Sequence, residues 1–159
     1  MMAKVLVLYF TRTGNTKAMA EFVASGAEKE GAKVTLKDVE ETKPEDLLEF
    51  DAIAAGSPTY YGGMAGKMKE FFDFTLVHHG ALAGKIGGAF SSSMNIGGGN
   101  ETTVLDILHV MLIHGMIVQG TSDGDHYGPV SIEFPDDRAK AQCEALGRRL
   151  ASLAIKLFG

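Results

Sequence analysis

The chain has 159 residues, 45% of them hydrophobic and 22% charged, with a formal net charge of −5. That length suits one compact domain over residues 1–159, and the composition excludes a disordered or fibrous chain. Lysine and arginine are scattered among the acidic residues, which gives no electrostatic footprint for nucleic acid or an anionic membrane.

The start Met1-Met2-Ala3-Lys4 lacks a signal-peptide pattern, and no apolar run is long enough to span a bilayer. Cys143 is the single cysteine and reads as core, and no Cys/His cluster has metal-ligand spacing. A reducing cytoplasm is therefore the expected compartment.

Apolar runs rich in Val, Ile and Ala alternate with helical patterns, which predicts an α/β fold with a parallel sheet. The predicted strands are Lys4 to Phe10, Lys33 to Val39, Asp51 to Gly56, Lys85 to Ser91 and Met116 to Gly120. The first, third and fourth show little polar alternation, as expected of strands buried on both faces. Between the first two, Ala18, Met19, Phe22, Val23 and Ala27 form the apolar stripe of a helix that Gly31 stops.

Pro44 to Phe50 reads as a short covering helix with Pro at its start, and Lys67 to Val77 as a second that carries Met68, Phe71, Phe72, Thr75 and Leu76 on one side. Glu101 to Ile113, the fourth helix, has only a thin polar side, which suggests burial against a partner subunit and a homo-oligomer. The last helix spaces Ala139, Cys143, Leu146, Leu150, Leu153 and Leu157 along one stripe.

In an open parallel sheet, ligands bind beyond the carboxyl ends of the strands. Thr11-Arg12-Thr13-Gly14-Asn15-Thr16 directly follows the first strand and precedes the first helix, so its hydroxyls and amides suit a phosphate monoester. The same residue types also make ordinary turns and helix caps. No G-x-G-x-x-G follows a strand, and Gly66-Lys67 and Gly84-Lys85 lack the rest of a Walker loop, so dinucleotide and nucleoside-triphosphate readings fall away.

The loop Gly56 to Gly63 offers Pro58, Thr59, Tyr60, Tyr61 and Gly62 to a flat ring, with the aromatics as stacking faces or as hinge residues. A third loop, Ser91 to Thr102, is too polar for core. Its Ser92, Ser93, Met94, Asn95, Ile96, Gly97 and Gly98 suit polar ring edges or form a flexible hinge. His78 and His79 diverge and read as surface or pocket-rim residues, while His114 reads as a helix C-terminal histidine or as a proton donor to a ligand.

From Val7 to Val23 the order Val-Leu-Tyr-Phe-Thr-Arg-Thr-Gly-Asn-Thr-Lys-Ala-Met-Ala-Glu-Phe-Val resembles the flavodoxin family signature. The resemblance implies a five-stranded sheet in the order 2-1-3-4-5, with Thr11 to Thr16 on the FMN phosphate. Gly56-Ser57-Pro58-Thr59-Tyr60-Tyr61-Gly62, Phe90 to Ser93, Gly97 to Thr102 and His114-Gly115-Met116 resemble the tryptophan-repressor-binding-protein branch. Members of that branch are FMN-dependent NAD(P)H:quinone oxidoreductases, often tetrameric. The resemblance implies flavin contacts for Thr59, Tyr60, Tyr61, Ser92 to Gly98 and His114.

Phe74 to Gly80 departs from the branch by being shorter and lacking its tryptophan. The expected function is an FMN redox protein that takes electrons from NAD(P)H and passes them to a quinone. The competing expectation is an electron carrier between redox proteins without NAD(P)H turnover. A Ser-His-Asp hydrolase is excluded by the absence of a G-x-S-x-G elbow.

Overall fold

A computed structural model describes residues 2–159. The strands are β1 (Lys4–Tyr9), β2 (Lys33–Asp38), β3 (Ala52–Tyr60), β4 (Gly63–Met64), β5 (Ile86–Ser93), β6 (Ile117–Val118) and β7 (Val130–Ile132). The α-helices are α1 (Asn15–Lys29), α2 (Gly66–Phe74), α3 (Asn100–Ile113) and α4 (Asp137–Phe158).

The main path runs β2-β1-β3-β5-β6, all parallel, with β7 also parallel to β5 and β4 antiparallel to β3. With β6 and β7 as two pieces of a fifth strand, this is the expected order 2-1-3-4-5. The alternation of β1 explains why its sequence lacks polar breaks: Val5, Val7 and Tyr9 enter one core, while Leu6 and Leu8 enter the other. The first core lies under α1 and α4, and the second under α2 and α3.

Helices α1 and α4 approach so closely that a Cβ on Gly147 would lie 2.0 Å from the Val23 carbonyl oxygen, and one on Gly26 would lie 2.1 Å from that of Glu144. Only glycine permits this crossing.

The structure corrects four sequence expectations. Pro44–Glu49 is a 3-10 segment rather than an α-helix, because it is too short to propagate and is anchored chiefly by the buried Leu47. The second covering helix ends at Phe74 and continues as a 3-10 turn over Thr75–His78, where the Thr75 hydroxyl donates to the Phe72 carbonyl at 2.6 Å.

Ser57 to Tyr60 belongs to β3 rather than to a loop, and Ser91 to Ser93 complete β5, where hydrogen bonds make their burial tolerable. The fifth strand does not run on to Gly120: β6 pairs with Ile86 and Gly87, the chain leaves the sheet, and β7 returns beside Ser91 to Ser93. Helix α3 buries Val104, Ile107, Leu108 and Met111, but leaves Leu112 and Ile113 exposed.

Candidate functional site

The carboxyl ends of β1, β3, β5 and β7 surround an open cleft of about 730 Å³. It is lined by Thr11, Arg12, Thr13, Asn15 and Thr16 from the first loop, by Pro58, Thr59 and Tyr60 from β3, and by Ser92, Ser93 and Met94 at the end of β5. Glu133 and Phe134, just past β7, close the remaining side.

The first loop presents an anion cradle. Gly14 occupies the N-cap of α1 at φ 97°, the left-handed region, and the helix has neither a side-chain cap nor an acidic residue in its first turn. By contrast, Asp136 caps α4 through the Ala139 amide at 2.8 Å. The first-turn amides of α1 and the positive end of its dipole therefore remain available to a negative ligand.

The Gly14 amide donates to Thr11 Oγ1 at 3.0 Å, which leaves the Thr11 hydroxyl proton free for that ligand. Thr16 is buried, and its hydroxyl lies 2.8 Å from Ser92 Oγ, so the first loop and β5 are bonded across the floor of the cleft.

On the opposite wall, Ser91 Oγ donates to the Ser57 carbonyl at 2.8 Å. A hydroxyl has one proton, so in the 2.8 Å contact between Thr59 and Ser91 it is Thr59 that donates. Tyr60 stands half exposed at the rim, and Tyr61 is fully exposed at φ 50°. The turn they begin is tied to α3, because the Thr102 hydroxyl shares its proton between the Gly62 carbonyl at 2.7 Å and the Gly99 carbonyl at 2.9 Å.

Asn100 Nδ2 donates to Ser93 Oγ at 3.3 Å, and Ser93 Oγ donates in turn to the Asn95 carbonyl at 3.2 Å. Arg12 and Glu133 are the charged side chains of the lining, so an anion at the helix terminus meets one cation nearby.

Of the residues expected at the site, Tyr61, Gly62, Asn95, Ile96, Gly97 and Gly98 belong to the flanking turns rather than the lining. The structure does not bring His114 to the cleft. It follows the C-terminus of α3, whose N-terminus faces the cleft side, and 14 residues of helix separate the two by about 20 Å. His114 is instead buried beside Thr75, in a cavity shared with Phe72 and His79.

Sequence reasoning missed Glu133 and Phe134. A fifth strand ended at Gly120 hides them, although the alternating Val130-Ser131-Ile132 between Pro129 and Pro135 marks a strand end. Among the described residues there is no group of three or more His, Cys, Asp or Glu side chains placed to hold a metal ion, and no helix is long and apolar enough to cross a membrane.

A doubly wound parallel sheet with an uncapped helix terminus at its switch point defines an α/β protein whose cleft can accept an anionic ligand. The model of the flavodoxin domain matches residues 6–104, and the chain belongs to the flavodoxin family. It is 49% identical to a protein named "Flavodoxin" from Aquifex aeolicus, over 94% of this chain and 86% of that protein.

It is also 35% identical to an "NAD(P)H dehydrogenase (quinone)" from Archaeoglobus fulgidus, over 98% of this chain and all of that one (100%). Among solved structures, the flavodoxin, WrbA-like protein from Agrobacterium tumefaciens superposes with a TM-score of 0.82 at 27% identity, covering 97% of this chain and 98% of that one. The chain is thus a flavodoxin-like redox protein, and its family implies a flavin, FMN, in the cleft.

Proposed function

We propose that the chain is an FMN-dependent oxidoreductase in which NAD(P)H supplies electrons and a quinone accepts them. The observation that supports this reading is the cleft itself, with an uncapped α1 terminus and a hydroxyl-lined floor between walls from β3 and β5. Similarity to the relative named NAD(P)H dehydrogenase (quinone) supports the donor and acceptor classes.

FMN, when bound, supplies both hydride and single-electron chemistry. The protein's own contribution is grip and access. Thr11, Thr13 and the first-turn amides of α1 hold the phosphate, and Arg12 adds an exposed cation. Pro58, Thr59 and Tyr60 confine the ring on one side, and Ser92, Ser93, Met94 and Phe134 confine it on the other. The turns that carry Gly62 and Gly97 to Gly99 flank the cleft, and the Thr102 hydroxyl ties the Gly62 carbonyl to α3.

The second reading is a carrier between redox proteins. It is favoured by the relative named flavodoxin at 49% identity and by the absence of tryptophan from the chain. On either reading we propose that residues 1–159 work as one cytoplasmic domain without nucleic-acid or membrane partners, and that the exposed end of α3 pairs copies of the chain.

The deciding experiment adds FMN to purified protein, records the visible spectrum, and then titrates anaerobically with NADPH and benzoquinone. The reductase binds yellow flavin, bleaches with NADPH and turns over quinone with ping-pong kinetics. Bound flavin that NADPH and NADH leave oxidised assigns the carrier instead, and no bound flavin overturns both readings.

A further inference from the structure

Arg149 on α4 stands apart from the other arginines. Arg138 pairs with Asp125, Arg148 pairs with Glu144, and Arg12 lines the cleft. Arg149 is half-buried and has no carboxylate partner among the described residues. Its Nε is enclosed without a hydrogen bond, and burial holds the guanidinium below its ordinary pKa. The terminal Nη1 and Nη2 make no bond within the described residues and are not enclosed, so they are the groups a ligand can reach. A cation drawn out of water normally has a counter-charge, and here the described residues supply none.

Arg149 lines an open cavity of about 460 Å³ between α4 and the edge strand β6, within the range of small-molecule sites. Arg149, Ser152 and Lys156 follow one another at three- and four-residue spacing, which puts them on one face of α4. Gln119, just past β6, completes the polar lining, and Ile117 and Leu153 supply apolar wall. No carboxylate lines the cavity, and the exposed Lys156 also lacks an ion pair among the described residues.

In a chain of net charge −5, two cations that share a cavity without an acid make a local positive site. A guanidinium fork can donate to two oxygens of a phosphate, an ammonium can neutralise a third as a point charge, and a serine hydroxyl adds a donor.

We propose that this cavity binds a phosphate monoester of a small apolar group, with the phosphate between Arg149 and Lys156 and the apolar group against Ile117 and Leu153. The site is separate from the cleft. Strand β6 pairs with Ile86 and Gly87, so the run of β5 from Gly87 to Ser92 puts about 17 Å between the two. Ligand and cofactor therefore do not compete.

The test is an NMR titration of the full isotope-labelled chain with FMN added, reading backbone amides and arginine side-chain nitrogens. The probes are phenyl phosphate, inorganic phosphate and phenol at constant ionic strength. Phenyl phosphate is expected to bind about tenfold tighter than either of the others, to shift residues 117–119 and 149–156, and to leave residues 11–16 unmoved.

Arg149→Met and Lys156→Met should each weaken phenyl phosphate by about tenfold. Arg149→Met keeps the apolar stem and removes the unpaired Nε, so its urea midpoint should hold or rise. Lys156 is exposed, so its variant reads binding without touching the packing of α4. Arg148→Met, one position away but paired with Glu144, should bind as the parent does. Equal affinity for phenyl phosphate and either other probe, shifts confined to residues 11–16, parental affinity in Arg149→Met or Lys156→Met, or an equal loss in Arg148→Met would each overturn the assignment.

Discussion

Thr16 Oγ1 and Ser92 Oγ lie 2.8 Å apart and are separated by 76 positions in the chain. Both side chains are buried. The bond joins the loop after β1 to the end of β5, so it ties two sides of the cleft to each other.

Thr16→Val keeps the shape of the side chain and leaves the Ser92 hydroxyl without its partner. Stability should fall by about 1–2 kcal/mol in urea unfolding, and FMN affinity by roughly tenfold or more in fluorescence-quenching titrations. Thr16→Ser should retain both. Full FMN affinity in Thr16→Val would show that the cradle does not depend on this bond.

The α1–α4 crossing makes a prediction about packing alone. A methyl group at Gly147 has no room beside the Val23 carbonyl, so Gly147→Ala forces the helices apart despite alanine's better helix propensity. A net loss of about 2 kcal/mol is expected by thermal or urea melting. Gly66→Ala, at the open start of α2, is the control: nothing lies within 4 Å of the added carbon, and stability should hold or rise slightly. Equal effects of the two substitutions would contradict the crossing.

The α/β order was legible because β1, β3 and β5 are almost continuously apolar and α1 and α4 have clear stripes. Thr11 to Thr16 stood out as a hydroxyl-rich turn at the carboxyl end of a buried strand, although the same residue types make ordinary turns and helix caps, and the structure sets that turn along the cleft. The fifth strand was not. β6 and β7 are two and three residues long, below what periodicity can detect, and their register comes from pairing with β5. The alternation of Val130 to Ile132 between two prolines marks a strand end there, but only the pairing with β5 brings Glu133 and Phe134 to the cleft. His114 misled although topology places it: a helix that joins two parallel strands ends at their amino edge, the side away from the cleft.

His114 also sets a pH dependence. Burial first, and then the charge of His79, hold its imidazole below the ordinary value. The unfolded chain therefore takes up a proton near pH 6.5 that the folded chain refuses. Its contribution to stability is complete above that pH and is lost as pH falls through the lower folded value. Urea midpoints measured from pH 7 to pH 5 should decline, and His114→Gln should flatten that decline. An identical decline in the variant would assign the acid sensitivity to other groups.

Cys143 gives the opposite limb. It is fully buried in the core between the sheet and α4, and burial, reinforced by Asp125, pushes its thiol from an ordinary 9.0 up to about 12. Only the thiolate reacts, so folded protein at pH 8 should resist a thiol reagent until urea exposes the side chain. Above pH 9 the unfolded thiol ionises while the folded one stays protonated. The stability owed to the neutral thiol is therefore complete below pH 9 and is lost as pH rises toward about 12. Cys143→Ala should cost about 1 kcal/mol at neutral pH through the small cavity it leaves, yet lose less stability than the parent between pH 9 and 11. Rapid labelling of the folded parent at pH 8 would contradict the burial from which both effects derive.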